Sequence, residues 1–161
     1  MTFRDFKHWQ IVGFLGLDNS TFEQTNNTEN LIRSSAHEHG DSPIADQYHI
    51  YPEQAAAGYW TNASDLAQFG MQLQLALKDE SQMLSSEQAQ NMLTNTLSSK
   101  YGIALELFRD GYFGHSGSNE GFRSLMRLSP NGFGLIILAN SDNGEQLMAP
   151  LVKLFTQKYE R

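Results

Sequence analysis

The sequence predicts an α+β fold in which helices come first, an antiparallel sheet follows, and a last helix covers it. Two observations carry this prediction. Up to Lys100, apolar residues recur at helical spacings; beyond it they alternate in short runs divided by glycine-rich turns. Connections that short imply antiparallel neighbours, because parallel pairing needs a long crossover.

The composition supports one acidic domain. The chain has 161 residues, 40% of them apolar, no cysteine and a formal net charge of -7. A chain of this length can bury one core but hardly two. The lack of cysteine excludes disulfides, thiolate zinc sites and cysteine nucleophiles. The acidic balance, without clustered Lys and Arg, argues against a nucleic-acid partner.

We expect a soluble chain that is not exported as written. The longest apolar run, Leu135 to Ala139, suits a strand and is far too short to span a membrane. The N-terminus lacks the apolar region of a signal peptide and carries early charges. The sequence leaves the compartment unknown.

The first two thirds of the chain are predicted to be loop and helix. The end of a helix within residues 1–23 runs into a turn at Asp18 to Ser20, and a long polar loop follows over residues 24–50. Loops of that length in a compact domain are usually functional or irregularly packed. The clearest helix runs from Ser64 to Leu77, and Thr61 or Ser64 can cap its start. Its apolar stripe has four members: Leu66, Phe69, Leu73 and Leu77.

A second helix is predicted to begin at Ser85, which forms a capping-box pair with Gln88. Short strands and a covering helix follow. The helix is predicted over residues 145–159, and Pro150 is tolerable only if it begins late or kinks there. The predicted strands are Tyr101 to Phe108, Tyr112 to His115, Phe122 to Leu128 and Phe133 to Ala139. The predicted apolar face of the helix consists of Leu147, Leu151, Leu154 and Phe155.

Both common local arrangements for activating a serine are absent from the sequence. A serine hydroxyl needs a base within hydrogen-bond reach, which Ser-x-x-Lys supplies from one turn away on a helix. None of the five lysines follows a serine at that spacing. The stretch from Gly114 to Ser118 comes close to Gly-x-Ser-x-Gly, but its second glycine is one place early.

The best candidate for a binding element is Phe113 to Gly121. His115 and Ser116 are predicted at the end of a strand, between glycines that leave the backbone open to a ligand. The imidazole can donate, accept or carry charge near neutral pH. The alternative, which composition alone favours, is a glycine-rich hairpin with a surface histidine.

Two further groups of residues have simpler explanations than chemistry. His37 and His39, with His49 and a nearby aspartate, could be taken for a metal cluster, but alternate histidines in a polar loop rarely supply preoriented ligands. We expect solvated or hydrogen-bonded histidines and no metal. Glu53 and Asp65 could form an acid/base couple. However, Asp65 lies in the first turn of a helix, where a carboxylate offsets the helix dipole, and Glu53 is left unassigned.

Four stretches of the sequence match motifs that occur together in one superfamily. Tyr51 to Ala67 resembles the signature Pro-x-x-Ala-Ala-Gly-x-(Trp/Tyr)-(Ser/Thr)-x-x-Ser-Asp-Leu-Ala. Leu15 to Phe22 is similar to Leu-Gly-Met-x-x-(Ser/Thr)-x-Phe. Phe113 to Phe122 resembles the third motif, in which His-x-Gly often replaces Lys-Thr-Gly, and Gly134 to Gly144 resembles the strand and turn that follow it. Together these stretches resemble serine β-lactamase-related proteins, a superfamily of class C β-lactamases, DD-peptidases (penicillin-binding proteins), D-aminopeptidases and esterases.

The resemblance implies a partial β-lactamase/transpeptidase-like fold with one wall of a catalytic cleft. His115 and Gly117 match His-x-Gly, and Ser116 takes the variable middle position. These three would be the catalytic-motif residues, while Ser118, through its backbone N–H, and Asn119 would bind substrate. Histidine in place of lysine removes a fixed ammonium and favours an esterase or peptidase-like relative. The triplet Ser141-Asp142-Asn143 copies one from class A β-lactamases, but its position predicts a turn that caps the last helix.

The resemblance also identifies what the sequence lacks. In such proteins the Ser-x-x-Lys pair and a Tyr-x-Asn or Ser-x-Asn motif precede the first matched stretch. This chain has no Tyr-x-Asn, and its two Ser-x-Asn triplets, at Ser129 and Ser141, both fall in predicted turns. We therefore expect the C-terminal fragment of a serine hydrolase that acts on a small-molecule or peptide acyl substrate. The fragment would need no cofactor and be inactive alone. It would form a single incomplete domain, with helix end and loop (1–50), helices (51–100), and strands with a last helix (101–161).

Two alternatives stay open at this point. The chain could be a non-catalytic assembly module, because the strand Phe133 to Ala139 would expose an apolar edge without the strands that pair with it in the parent fold. That edge predicts a homo-oligomer or association with the missing N-terminal half. A metal-dependent hydrolase that uses His37, His39 and His49 is the third and weakest possibility.

Overall fold

The fold is an antiparallel sheet with helices before and after it in the chain, which confirms the predicted α+β class. The computed structural model describes residues 11–24, 32–39, 42–94 and 100–159. The helices in these ranges are α1 (Gln54–Ala57), α2 (Ala63–Ala76), α3 (Ser86–Met92) and α4 (Glu145–Tyr159). The strands are β1 (Glu106–Leu107), β2 (Phe113–Asn119), β3 (Phe122–Leu128) and β4 (Gly134–Ala139), and a 3₁₀ turn, Asp142–Gly144, precedes α4.

The sheet is a meander in the order β1-β2-β3-β4, with every pair antiparallel. β2 and β3 pair over their full lengths, and β4 pairs with β3 along all six of its residues. β1 covers only the start of β2, where Glu106 lies opposite Gly114 and Leu107 opposite Phe113. Beyond Gly114, no strand of the described ranges borders the outer edge of β2.

The main core lies between α2 and one face of the sheet. Leu73 of α2 is buried against Phe113 of β2, and the rest of the predicted stripe (Leu66, Phe69 and Leu77) packs around them. Each such side chain stabilises the fold by roughly 1.5–3 kcal/mol on full burial. The buried members of this core are Leu73, Leu105, Phe113, Met126 and Leu128.

The helix caps agree with the sequence in one case and differ in the other. Ser85 and Gln88 form the predicted capping box at the start of α3. At α2, however, Asn62 is the cap, because its side-chain oxygen accepts a hydrogen bond from the Asp65 N–H at 2.8 Å. The hydroxyl of Thr61, one of the two predicted caps, instead lies 2.8 Å from the Ser20 hydroxyl.

The strand predicted over Tyr101 to Phe108 is wrong except at Glu106–Leu107. Ala104 has φ +58, a left-handed conformation that breaks an extended run. The Ile103 N–H donates to the Met92 carbonyl at 2.9 Å, which turns the segment towards α3. The strand predicted over Tyr112 to His115 is too short, because β2 continues past His115 to Asn119.

The last helix runs over Glu145–Tyr159, which confirms the predicted range. It does not begin late, and it continues through Pro150. Its predicted apolar face is wrong at three of four positions, because Leu147, Leu151 and Leu154 are 59%, 39% and 61% exposed. The sequence of α4 contains two apolar stripes that are offset by one residue. The stripe that was not predicted is the one that packs against the rest of the fold. The half-buried residues of α4 are Met148, Val152, Phe155 and Thr156.

The first part of the chain is described only partly. Most of the helix predicted within residues 1–23 lies in residues 1–10, outside the described ranges. In the predicted loop, residues 32–39 and 42–50 contain no helix and no strand longer than an isolated bridge. None of the helices in the described ranges has the length and apolar content that crossing a lipid bilayer requires.

Candidate functional site

Strand β2 carries the residues of the candidate site in its middle rather than at its end. His115, Ser116 and Ser118 are exposed, and Gly117 is half-buried. Because successive residues of a strand point to opposite faces, His115 shares the face of the buried Phe113, while the two serines share the other. No described residue forms a hydrogen bond or ion pair with the His115 ring. The imidazole is therefore available to a ligand on that face.

The outer edge of β2 presents backbone groups outward. The carboxylate of Glu106 accepts a hydrogen bond from the Ser116 N–H at 2.9 Å and a second from the Ser116 hydroxyl. The Ser116 N–H therefore points out of the sheet, away from β3. The period of two along an edge strand directs the N–H of Ser118 the same way. The site can thus offer a backbone donor to a ligand that lies along β2.

The end of β2 is tied to the stretch around α1. The side-chain amide of Asn119 donates to the Ala57 carbonyl at 3.0 Å, and the Glu120 N–H donates to the Tyr51 hydroxyl at 3.2 Å. The first contact uses the Asn119 nitrogen for a structural bond and leaves its side-chain oxygen for other partners. Two stretches singled out separately in the sequence, Tyr51 to Ala67 and Phe113 to Phe122, therefore lie side by side.

A buried ion pair fixes the β2–β3 turn. Arg123 contacts Asp142 at 2.7 Å and donates to the carbonyls of Asn119 and Phe122 at 2.7 and 2.8 Å. Asp142 also accepts a hydrogen bond from the Gly121 N–H at 3.0 Å. The triplet Ser141-Asp142-Asn143 thus forms the predicted turn before the last helix, and its aspartate additionally anchors the turn beside the candidate site.

The loop histidines are hydrogen-bonded one by one rather than gathered. Nδ1 of His37 lies 3.0 Å from the Asn140 carbonyl oxygen, and Nδ1 of His39 lies 3.1 Å from the side-chain oxygen of Asn143. His49 contacts Glu120 at 2.8 Å. Over residues 11–24, 32–39, 42–94 and 100–159, no group of three or more His, Asp or Glu side chains could hold a metal ion. The structure does not bring the three histidines of the metal hypothesis together.

Asp65 lies in the first turn of α2, as predicted, and has a second role that the sequence does not reveal. Its carboxylate is buried and accepts hydrogen bonds from the Asn19 N–H at 2.9 Å and the Ser20 hydroxyl at 2.8 Å. It therefore fastens the Leu15 to Phe22 stretch to α2. Glu53 is the residue before α1 and makes no side-chain cap there. The hydrogen bonds of Asp65 are structural, and no described contact joins Asp65 to Glu53, so the structure does not support an acid/base couple of these two residues.

The residue that sequence reasoning missed is Glu106. It lies in the segment mispredicted as a long strand, and its contact with Ser116 spans ten residues. The sequence carries no motif around it. The alternation of Leu105, Glu106 and Leu107 was the one available signal, since it places the carboxylate on the face opposite two leucines.

Comparison with known proteins identifies the family. The family model described as Beta-lactamase matches residues 1–155, and the chain belongs to that family. A search of curated protein sequences finds no match.

Solved structures share the fold at low sequence identity. A protein named SurE superposes with a TM-score of 0.79 at 19% identity over 98% of this chain and 40% of its own. A beta-lactamase/D-alanine carboxypeptidase from Pseudomonas syringae gives 0.72 at 16% identity, covering 100% of this chain and 55% of that one. The octameric penicillin-binding protein homologue from Pyrococcus abyssi gives 0.66 at 18%, covering 94% and 38%. The chain therefore spans about half or less of the length of these proteins.

Proposed function

We propose that this chain supplies the substrate-binding strand of a β-lactamase-like serine hydrolase, which transfers the acyl group of an amide, a β-lactam or an ester. The nucleophilic Ser-x-x-Lys pair and the Tyr-x-Asn motif would lie in polypeptide outside these 161 residues. The observation that carries the proposal is the open outer edge of β2, whose backbone donors point outward next to an exposed His115.

The parts of this edge have distinct proposed roles. The Ser118 N–H would donate to the oxygen of the acyl group as negative charge develops on it, which is the interaction that lowers such barriers most. His115 would hydrogen-bond the acyl group or its leaving group from the core-side face of β2. Gly117, between them, leaves the face of β2 that His115 occupies without a side chain at this position, where a Cβ would lie 2.3 Å from the Ser124 hydroxyl. Ser116 is bonded to Glu106 and so would shape the edge rather than attack.

On this proposal the chain alone does not turn over, because binding groups without nucleophile and base give little rate enhancement. The test is incubation of the purified chain with nitrocefin and with p-nitrophenyl esters, followed by mass spectrometry for an acyl adduct. We expect neither hydrolysis nor adduct. Hydrolysis that persists in His115→Ala and Ser116→Ala variants, or an acyl group trapped on any hydroxyl, contradicts the proposal.

The positive half of the test uses a longer polypeptide. An in-frame Ser-x-x-Lys and Tyr-x-Asn encoded upstream of Met1 would supply the attacking groups. In that polypeptide we expect His115→Ala to lower kcat/KM about a hundredfold, the scale of one lost transition-state hydrogen bond. His49→Ala is the matched control, since His49 is also exposed but pairs with Glu120. Equal activity of the two variants contradicts the role of His115.

A second candidate function is a non-catalytic assembly module. β4 ends the sheet order, so one edge carries no strand in the described part of the chain, and Leu138 on it is 37% exposed. Beside it, α4 exposes Leu147, Leu151 and Leu154. An apolar strand edge of this kind invites pairing with another chain. Light scattering at tens of micromolar distinguishes the two, because a well-folded monomer argues against assembly through this edge.

A further inference from the structure

The outer edge of β2 is not electrically neutral. Glu106 approaches it from β1, and its Oε1 accepts both the N–H and the hydroxyl of Ser116. These two bonds fix the carboxylate at the sheet edge, where its side chain is half-buried. Glu106 takes no part in the ion pairs of Arg123, Arg127 and His49, which lie elsewhere in the described ranges. The edge therefore carries a localised negative charge.

This charge lies close to the donor that an acyl ligand would use. The N–H of Ser118 is two residues beyond that of Ser116, a separation of about 7 Å along a strand. A ligand that hydrogen-bonds Ser118 and continues along β2 towards Gly114 meets the Glu106 carboxylate next. It finds the Ser116 N–H already occupied. A carboxylate on that part of the ligand would be repelled and left without a donor, whereas an ammonium would find an acceptor and an opposite charge.

We propose that Glu106 is a specificity-determining residue of this edge, and that it selects acyl ligands with a free ammonium over ligands with a carboxylate. The inference rests on the proposed function, because it requires that ligands lie along β2. It narrows that function to amides or esters of amino acids with an unblocked amino group. His115 agrees with a preference for ammonium over carboxylate ligands. Where relatives with Lys-Thr-Gly carry a fixed ammonium that can bind a carboxylate, this chain has a histidine.

A purely structural role for Glu106 is the rival explanation. A carboxylate at an open strand edge also protects it from pairing with other chains. Such a role predicts no dependence of ligand binding on ligand charge. The dependence of ligand affinity on ligand charge therefore distinguishes the two explanations. Measurements of stability or solubility do not distinguish them.

The experiment is an NMR titration of the ¹⁵N-labelled chain with three ligands that share one acyl core. Alanine p-nitroanilide carries an ammonium, its N-acetyl form is neutral, and its N-succinyl form carries a carboxylate; each is used as both enantiomers. The dissociation constants come from the amide shifts of Ser116 and Ser118. We expect the ammonium ligand to bind most tightly and the carboxylate ligand most weakly.

Two substitutions isolate the charge. Glu106→Gln keeps an acceptor for Ser116 but removes the charge. Exposed ion pairs shift binding about twofold to fivefold, and because one ligand loses attraction while another loses repulsion, we expect the preference ratio to fall roughly tenfold. Glu80→Gln is the control, since it removes one charge at an exposed site outside the sheet. It should leave the ratio unchanged, and the amide spectrum of each variant reports its folding.

The outcomes distinguish a failure of the proposed role of Glu106 from a failure of the proposed function, which is ligand binding along β2. If the ligands shift Ser118 but wild type and Glu106→Gln show the same ratio, or if wild type does not prefer the ammonium ligand, the role of Glu106 is overturned and the binding edge stands. If no ligand shifts Ser118 in any variant, the binding edge itself is wrong and this inference falls with it. A tenfold loss of preference confined to Glu106→Gln supports both.

Discussion

Arg123 and Asp142 form an ion pair of 2.7 Å whose side chains are only 15% and 11% exposed. The pair joins β3 to the 3₁₀ turn before α4, and each partner also holds the β2–β3 turn. Arg123 binds the Asn119 carbonyl, and Asp142 binds the Gly121 N–H. The end of the candidate binding strand is therefore positioned by residues that lie outside that strand.

We predict that Asp142→Asn destabilises the chain by about 2–3 kcal/mol, because it removes the close counter-charge of the largely buried Arg123 guanidinium. Within the described part of the chain, only the exposed Glu145 carboxylate, 3.9 Å from the Arg123 Nε, then remains as an acidic partner. Urea unfolding followed by circular dichroism measures the change. Asp18→Asn removes the same charge from an exposed turn and should cost less than about 0.5 kcal/mol. Equal costs for the two variants would show that the ion pair contributes nothing specific.

Gly121 occupies a place that no other residue fits. It has φ +73, and a Cβ built there would lie 2.4 Å from the Cβ of Ala36 and 2.8 Å from the His37 backbone nitrogen. Gly111 has a similar φ of +84 but nothing within 4 Å. Alanine at Gly111 should therefore cost about 1–2 kcal/mol from backbone strain alone. We predict that Gly121→Ala costs at least about 1 kcal/mol more in urea unfolding, since it adds a steric clash.

If both alanine substitutions lower the free energy of unfolding equally, the segment containing Ala36 moves away from the new methyl group at little energetic cost. Amide exchange at residues 32–39 checks this directly. In Gly121→Ala we expect faster exchange there, because the segment loses its contact with the β2–β3 turn, and no change in Gly111→Ala.

Gln74 joins α2 to the turn between β3 and β4. Its buried side-chain amide donates to the carbonyls of Ser129 and Phe133, both at 2.7 Å. We predict that Gln74→Met destabilises the chain by about 1–2 kcal/mol, because two hydrogen bonds are lost. The cost stays moderate because the Ser129 carbonyl still accepts the Gly132 N–H and the Phe133 carbonyl still accepts the Ser129 N–H. Gln157→Met, on the exposed side of α4, is the control and should be nearly neutral in the same denaturation assay. A neutral Gln74→Met would mean that water replaces the amide.

The features that the sequence predicted correctly are those set by residues near one another in the chain. Ser85 and Gln88 are three residues apart, and their capping box needs nothing beyond one helical turn. The α2 stripe likewise depends on a period of 3.6 residues. The short connections likewise predicted antiparallel neighbours, which the sheet confirms. The family stretches marked β2 as the candidate binding strand, and that role stays a prediction.

The features that it missed depend on contacts between distant residues. Asp142 reaches Gly121 across 21 positions, and Asp65 reaches Ser20 across 45. Both were explained as local helix-start residues, which is correct but incomplete. For α4 the sequence offered two adjacent apolar stripes, and only the packing against the sheet decides which one turns inward. The contact of Glu106 with Ser116 could not be predicted, because the sequence pattern predicts one continuous strand there and the left-handed conformation of Ala104 interrupts it.

The open edge of β4 gives the last prediction. Leu138 lies on this edge strand and is 37% exposed, and α4, which packs beside β4, adds three exposed leucines. If the edge pairs with a second copy, the wild-type chain is an oligomer at tens of micromolar. We then predict that Leu138→Lys shifts it towards monomer by at least about tenfold in dissociation constant, because a lysine on an edge strand opposes pairing.

Light scattering and sedimentation measure this shift, and circular dichroism verifies that each variant is folded. Ile50→Lys is the matched control, since Ile50 is 63% exposed, lies outside the sheet and gains the same charge. Its dissociation constant should equal that of wild type. A monomeric wild type, or equal weakening by both substitutions, would rule out β4 as an interface between copies of this chain.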